Sequence, residues 1–109
     1  MSINNTAYES LETAYDKIQE FFDTHNFGAE HSEMILKHEE LGELLDRLDI
    51  EAIEEQSDNL NKLHEQFKEI KKASDKVIED LNNVIDYLST ASKVVSALDN
   101  ILGKVKEII

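Results

Sequence analysis

The chain has 109 residues, a formal net charge of −13, and 40% apolar against 32% charged side chains, so it has room for one modest core and too much apolar content for a disordered acidic tail. It contains no cysteine, which excludes disulfides, thiolate metal sites and thiol nucleophiles together. Proline is absent and there are only 3 glycines, so the turn residues an all-β chain needs are missing, and the class is all-α.

The opening stretch, MSINNTAYES, lacks the basic start and apolar run of a secretory signal. The expected location is the cytoplasm, or outside the cell by a route that does not use a cleavable signal peptide. Thr6 and Glu9 stand at capping-box spacing ahead of Tyr8, Leu11, Tyr15, Ile18 and Phe22, which recur three and four apart, and this predicts a first helix over about 6–25. Phe21 lies beside that stripe. His25-Asn26-Phe27-Gly28 ends the helix, with Gly28 free to take the left-handed conformation and Phe27 placed to close the turn or anchor a partner. A second helix, about 30–48, carries Met34, Leu41, Leu45 and Leu48 on one stripe, widened by Ile35 and Leu44, and Asp49 can cap a restart at Ile50.

From Leu60 onward the pattern changes. Counting heptads from Leu60 gives first positions Leu60, Phe67, Ser74, Leu81, Leu88, Val95, Leu102 and Ile109, and fourth positions Leu63, Ile70, Val77, Val84, Ala91, Leu98 and Val105. Only Ser74 breaks the apolar run, and a sustained seven-residue repeat is the signature of one helical stripe facing a partner helix. Ile78 and Ile85 flank the seam on one side and Val94, Ile101 and Ile108 on the other, so toward the C-terminus it is broad enough to meet more than one neighbour. The pattern predicts a long helix over 50–109 with candidate breaks at 73–75 and 89–92. Unbroken, it would span ~90 Å against ~30 Å for each of the first two helices. The expected architecture of this single domain is therefore a helical hairpin plus a long heptad helix, either folded back as a three- or four-helix bundle or paired between chains as an oligomeric coiled coil. The region from Val84 to Ile109 is interrupted by charges too often to be a transmembrane segment.

Charge divides the chain at the same place. Residues 1–59 hold sixteen acids and three bases, and residues 60–109 hold eight of each, so the entire excess is N-terminal. Its densest run is Glu39, Glu40, Glu43, Asp46, Asp49, Glu51, Glu54, Glu55 and Asp58, with Arg47 the one base among them. Along a helix this is one negative charge per ~3.3 Å, close to the phosphate spacing of one DNA strand. Such a run either solvates an outer face or docks on a basic surface as an acidic inhibitor or DNA mimic would. The bases form no patch, so direct nucleic-acid binding is not expected.

No reaction signature accompanies these features. The residues three before His25, His31, His38 and His64 are Phe22, Gly28, Ile35 and Asn61, so the Glu-x-x-His motif of carboxylate-bridged iron sites is absent, and no two histidines stand four apart as zinc helices place them. No metal and no cofactor are expected. His38 sits on the apolar stripe between Met34 and Leu41, where burial would make it a pH-sensitive contact. There is neither a glycine-rich phosphate loop nor a nucleophile elbow, and the chain is not expected to be an enzyme.

In size, in its lack of cysteine and in helical class, the chain resembles the WXG100 proteins exported by type VII secretion systems and the small helical companions of their toxins. The Trp-x-Gly turn of that family has only Phe27-Gly28 as its counterpart, and no tyrosine follows Tyr87 for a C-terminal export motif. Its acidity and amphipathic helices are similar to those of type III and flagellar secretion chaperones. These observations predict a non-enzymatic protein-protein interaction module of chaperone, adaptor or secretion-companion type. Its partner, another protein or a second copy, would meet Leu60, Leu63, Phe67, Ile70, Val77, Leu81, Val84, Leu88, Val95, Leu98, Leu102, Val105 and Ile109. The alternative is an acidic inhibitor or immunity protein using the run from Glu39 to Asp58.

Overall fold

The computed structural model describes residues 3–25 and 28–109; Phe27, expected to close the first turn or anchor a partner, lies outside the described residues. Five helices account for most of them: α1 (Ile3–Thr24), α2 (Ala29–Arg47), α3 (Ile50–Gln56), α4 (Leu60–Asn82) and α5 (Tyr87–Ile108). No strand occurs among the described residues.

The two ends of each turn explain where the helices stop. The predicted helix over 50–109 is three helices, parted at 57–59 and at 83–86 rather than at 73–75 or 89–92. Polar side chains that compete with the helix for backbone partners make both breaks. At the first, Asn59 accepts from the Lys62 backbone N–H at 3.1 Å, while Ser57 Oγ accepts from the Asn59 N–H at 3.2 Å. At the second, Asn83 Nδ2 donates to the Glu79 carbonyl at 3.0 Å, and Asp86 Oδ1 accepts from the N–H groups of Leu88 and Ser89 at 3.0 and 3.4 Å. Asp49 caps α3 as its position predicts, accepting from the Ala52 N–H at 3.1 Å. Thr6 is not a cap: α1 already begins at Ile3, one turn upstream of it. Gly28 has φ +71° and ψ −125°, a conformation that only glycine adopts without strain, and it leads into α2 rather than closing α1 in the left-handed helical region.

Side-chain contacts fix how the helices lie. α1 and α2 are antiparallel, since Tyr8 reaches the Leu45 carbonyl, Tyr15 meets His38 and Phe22 meets His31. α1 and α4 are parallel, with Asn4 beside His64 at one end and Lys17 beside Asn82 at the other. α2 and α5 are also parallel, through Lys37 with Asp99 and Glu40 with Lys106. α4 turns back on α5, and Lys104 lies 3.8 Å from Glu69. Each of the four long helices thus packs on two others, and α3 carries the chain from the end of α2 to the start of α4. The longest dimension is 43 Å, which no straight sixty-residue helix could fit.

The buried side chains form one cluster. Most of the heptad seam lies in it: Leu63, Phe67, Ile70 and Val77 on α4, and Ala91, Val95, Leu98, Leu102 and Val105 on α5, are buried. Ser74, its one polar position, is also buried, with its hydroxyl donating to the Ile70 carbonyl at 2.8 Å, so the polar atom is satisfied within its own helix. Val94 and Ile101 are buried as well, because α5 meets both α2 and α4. On α1 the deeply buried positions are Ala7, Leu11, Ala14, Ile18 and Phe21. Phe21 therefore belongs to the core, while Tyr8, Tyr15 and Phe22, expected to share the stripe with Leu11 and Ile18, are half-buried at its edge. Leu11 and Ile18 keep their predicted places, Ala7, Ala14 and Phe21 take the buried positions beside them, and the tyrosines face α2.

Candidate functional site

Sequence patterning marked two surfaces, the apolar seam and the acidic run, and the fold treats them differently. Leu60, Leu88 and Ile109 are exposed at the ends of α4 and α5 and at the last residue, and Leu81 and Val84 are half-buried. Every other predicted seam residue is buried by this same chain.

The acidic run splits into three groups. Asp49, Glu54 and Glu40 have structural partners: Asp49 caps α3, Glu54 Oε2 accepts from Asn4 Nδ2 at 3.2 Å, and Glu40 pairs with Lys106 on α5. Glu51, Glu55 and Asp58 are exposed on α3 and the turn after it. Glu39, Glu43 and Asp46 project from α2 into a groove of about 510 Å³ between α1 and α2. The opposite wall brings two further carboxylates, Glu12 and Asp16 on α1, together with Tyr8 and Tyr15. Five carboxylates and two tyrosines thus line the groove, with no lysine or arginine among its lining residues.

The groove's shape depends on Gly42. A Cβ built there would lie 2.7 Å from Tyr15 Oη and 3.2 Å from Tyr15 Cε2, so the glycine lets the ring lie against the α2 backbone. That ring stacks on His38 with centroids 3.8 Å apart and planes 16° from parallel, and Phe22 meets the same imidazole edge-on at 4.9 Å. His38 is buried, and its Nε2–H donates to the Tyr15 carbonyl at 2.9 Å, which fixes the proton on Nε2. Burial pushes the imidazole pKa below its ordinary value, opposed by the bond to Tyr15 and by Asp23, Asp16 and Glu39. Tyr8 Oη donates to the Leu45 carbonyl at 3.4 Å, and its pKa is raised first by burial and then by Glu12 and Asp46, so the phenol keeps its proton.

Behind the acidic run lies a polar knot that patterning missed. Asn4 is wholly buried, donates to Glu54 and accepts from His64 Nδ1 at 3.0 Å, tying α1, α3 and α4 together. No periodicity marks such a residue, whereas Gly42 within an otherwise regular helix was a readable sign of close approach. Among the described residues no group of three or more histidines, aspartates and glutamates is placed to hold a metal ion. No helix among them is long and apolar enough to cross a membrane.

Comparison with protein-family models, with curated proteins and with solved structures gave no match to this chain. The reading of the surface therefore rests on its own chemistry.

Proposed function

We propose that this protein is a non-enzymatic interaction module, a four-helix bundle that holds a basic segment of a protein partner in the acidic groove between α1 and α2. The observation that supports it most is the convergence of Glu12, Asp16, Glu39, Glu43 and Asp46 on one groove with no base among the lining residues. Charges of one sign in a walled cleft focus the field and attract the opposite charge. Tyr8 adds aromatic surface against which a lysine or arginine head group can rest, while Tyr15 is held in its stack on His38.

Assembly through the heptad seam is the weaker use of the same fold, because intramolecular packing already covers most of it. The role that fits is closer to an acidic inhibitor or immunity protein than to a coiled-coil adaptor. The test is calorimetric titration with an oligolysine peptide at low and high salt. Binding should weaken steeply with salt, and the Glu39→Gln, Glu43→Gln, Asp46→Asn triple variant should abolish it. Unchanged affinity in that variant would sink the reading.

A further inference from the structure

One side chain is shared between the core and the acidic groove. Tyr15 lines the groove with Asp16, and its ring stacks on His38 with centroids 3.8 Å apart. His38 is 4% exposed, with Phe22 nearly at right angles to it at 4.9 Å. Its Nε2–H is given to the Tyr15 carbonyl at 2.9 Å, so a second proton has only Nδ1 to take, and the ring then carries a charge where little water reaches it.

The charges that answer to that ring also serve the groove. Of the carboxylates acting on His38, Asp16 and Asp23 come from α1 and Glu39 from α2, and Asp16 and Glu39 line the groove as well. His31, further back on α2, shares Phe22 with His38. Where α5 packs on α2, Lys37 beside His38 is paired with Asp99, so the charges there offset each other, and α4 packs on α1 and α5. An imidazolium draws on Asp16 and Glu39 from the core side, and a lysine or arginine in the groove draws on them from the solvent side. The two cations compete for the same carboxylates and repel each other across Tyr15. We infer that His38 is a proton-operated control of the acidic groove: the neutral ring leaves Asp16 and Glu39 to a basic segment, and the charged ring engages them from within and weakens its hold. The inference rests on the groove binding such a segment, as proposed above. Coupling of this kind is reciprocal, so a bound segment must make His38 harder to protonate by the same factor that protonation weakens the segment.

NMR titration of the His38 ring in the full chain, free and with saturating oligolysine at low salt, reads the coupling directly. The bound chain should hold the His38 proton about threefold more weakly than the free chain. Calorimetry gives the other half: between about pH 7.5 and about pH 5 the natural chain should lose up to about threefold more oligolysine affinity than His38→Gln, which keeps an N–H for the Tyr15 carbonyl but cannot take the charge. An Asp16→Asn, Glu39→Gln variant tests the same link without a ligand, and its His38 pKa should fall because the carboxylates that favour the charged ring are gone. Oligolysine binding with an unmoved His38 pKa, an unmoved pKa in the Asp16, Glu39 variant, or equal acid weakening in His38→Gln would overturn the inference and leave the groove reading in place. Absence of oligolysine binding to the natural chain at about pH 7.5 would overturn both.

Discussion

The α1/α2 pair and the α4/α5 pair contribute to one core with the same helical periodicity, yet differ sharply outside it. The chain up to residue 59 carries all of the net charge of −13, and the part from residue 60 carries none. On α4 the acids and bases pair along the helix, as in Lys71 with Asp75 at 2.6 Å and Lys76 with Asp80 at 3.0 Å, where Asp80 raises the lysine pKa. On the groove side of α1 and α2 the carboxylates face one another across the cleft. Folding does not need that arrangement, since like charges placed together cost stability. The difference teaches that the core specifies the fold while the acidic pair gathers like charges that the packing does not require, the charges the proposed basic segment would meet.

The sharpest way to break this division is to attack the seam where it is buried and where it is not. Phe67, 1% exposed, should cost about 3–5 kcal/mol when replaced by alanine, a large part of the roughly 5–15 kcal/mol that holds a domain together. Val95→Asp should unfold the chain outright, because it places an unpaired charge in the core. Leu88→Asp, one heptad earlier at an exposed position, should leave the melting temperature nearly unchanged. Thermal denaturation of the three variants decides the matter: equal losses at Leu88 and Val95 would mean the seam is buried at both, as between chains.

A second test concerns the acidic pair alone. The His38 pKa is lowered by burial, so between pH ~6.5 and the lower folded value the unfolded chain binds more protons than the folded one. His38 therefore allows full stability above about pH 6.5 and lowers it as pH falls through that value toward the folded pKa. Denaturant unfolding from about pH 7.5 to about pH 5 should show this slope in the natural chain and a shallower one in His38→Leu. Identical slopes would mean that the imidazole is solvated rather than stacked between Tyr15 and Phe22.

Much of the fold was legible in the residues, and the failures have identifiable causes. Spacing located the helices because burial repeats every three to four residues, and Val94 with Ile101 signalled that α5 has two neighbours. The breaks were misplaced because small residues, at 73–75 and 89–92, attracted notice. Asn59, Asn83 and Asp86, whose side chains replace helical hydrogen bonds, are what end and restart the chain. The groove was half visible: Glu39, Glu43 and Asp46 stood in the acidic run, but Glu12 and Asp16 join them only because α1 lies antiparallel to α2. Pairing across helices is not written in any one stretch of sequence.

The glycines offer a finer comparison of the two pairs. A Cβ at Gly103 in α5 would meet open space, so Gly103→Ala should raise stability by about 0.5–1 kcal/mol through helix propensity alone. The same propensity gain at Gly42 is opposed by the contact with Tyr15 Oη, and the ring can retreat only by leaving its stack on His38. Gly42→Ala should therefore be the less stable of the two by about 1 kcal/mol in chemical denaturation. Equal gains would show that Tyr15 moves freely and that the groove's shape is not fixed.

The smallest effect tests what joins the two pairs. Lys37 reaches from α2 to Asp99 on α5, and Lys106 reaches back from α5 to Glu40. Asp99 holds the Lys37 pKa above its ordinary value, chiefly through the hydrogen bond between them. Both acids are substantially exposed, so solvent screens the pairs, and Asp99→Asn or Glu40→Gln should each cost no more than about 0.5–1 kcal/mol, an effect that high salt erases. Their use lies in register: parallel helices with apolar faces can slide by a turn, whereas two cross-helix pairs are satisfied together in only one alignment. The Asp99→Asn, Glu40→Gln double variant should accordingly lose little stability yet show faster amide hydrogen exchange along α2 and α5 than along α1 and α4. Uniform exchange across all four helices would leave the core alone as the source of that alignment.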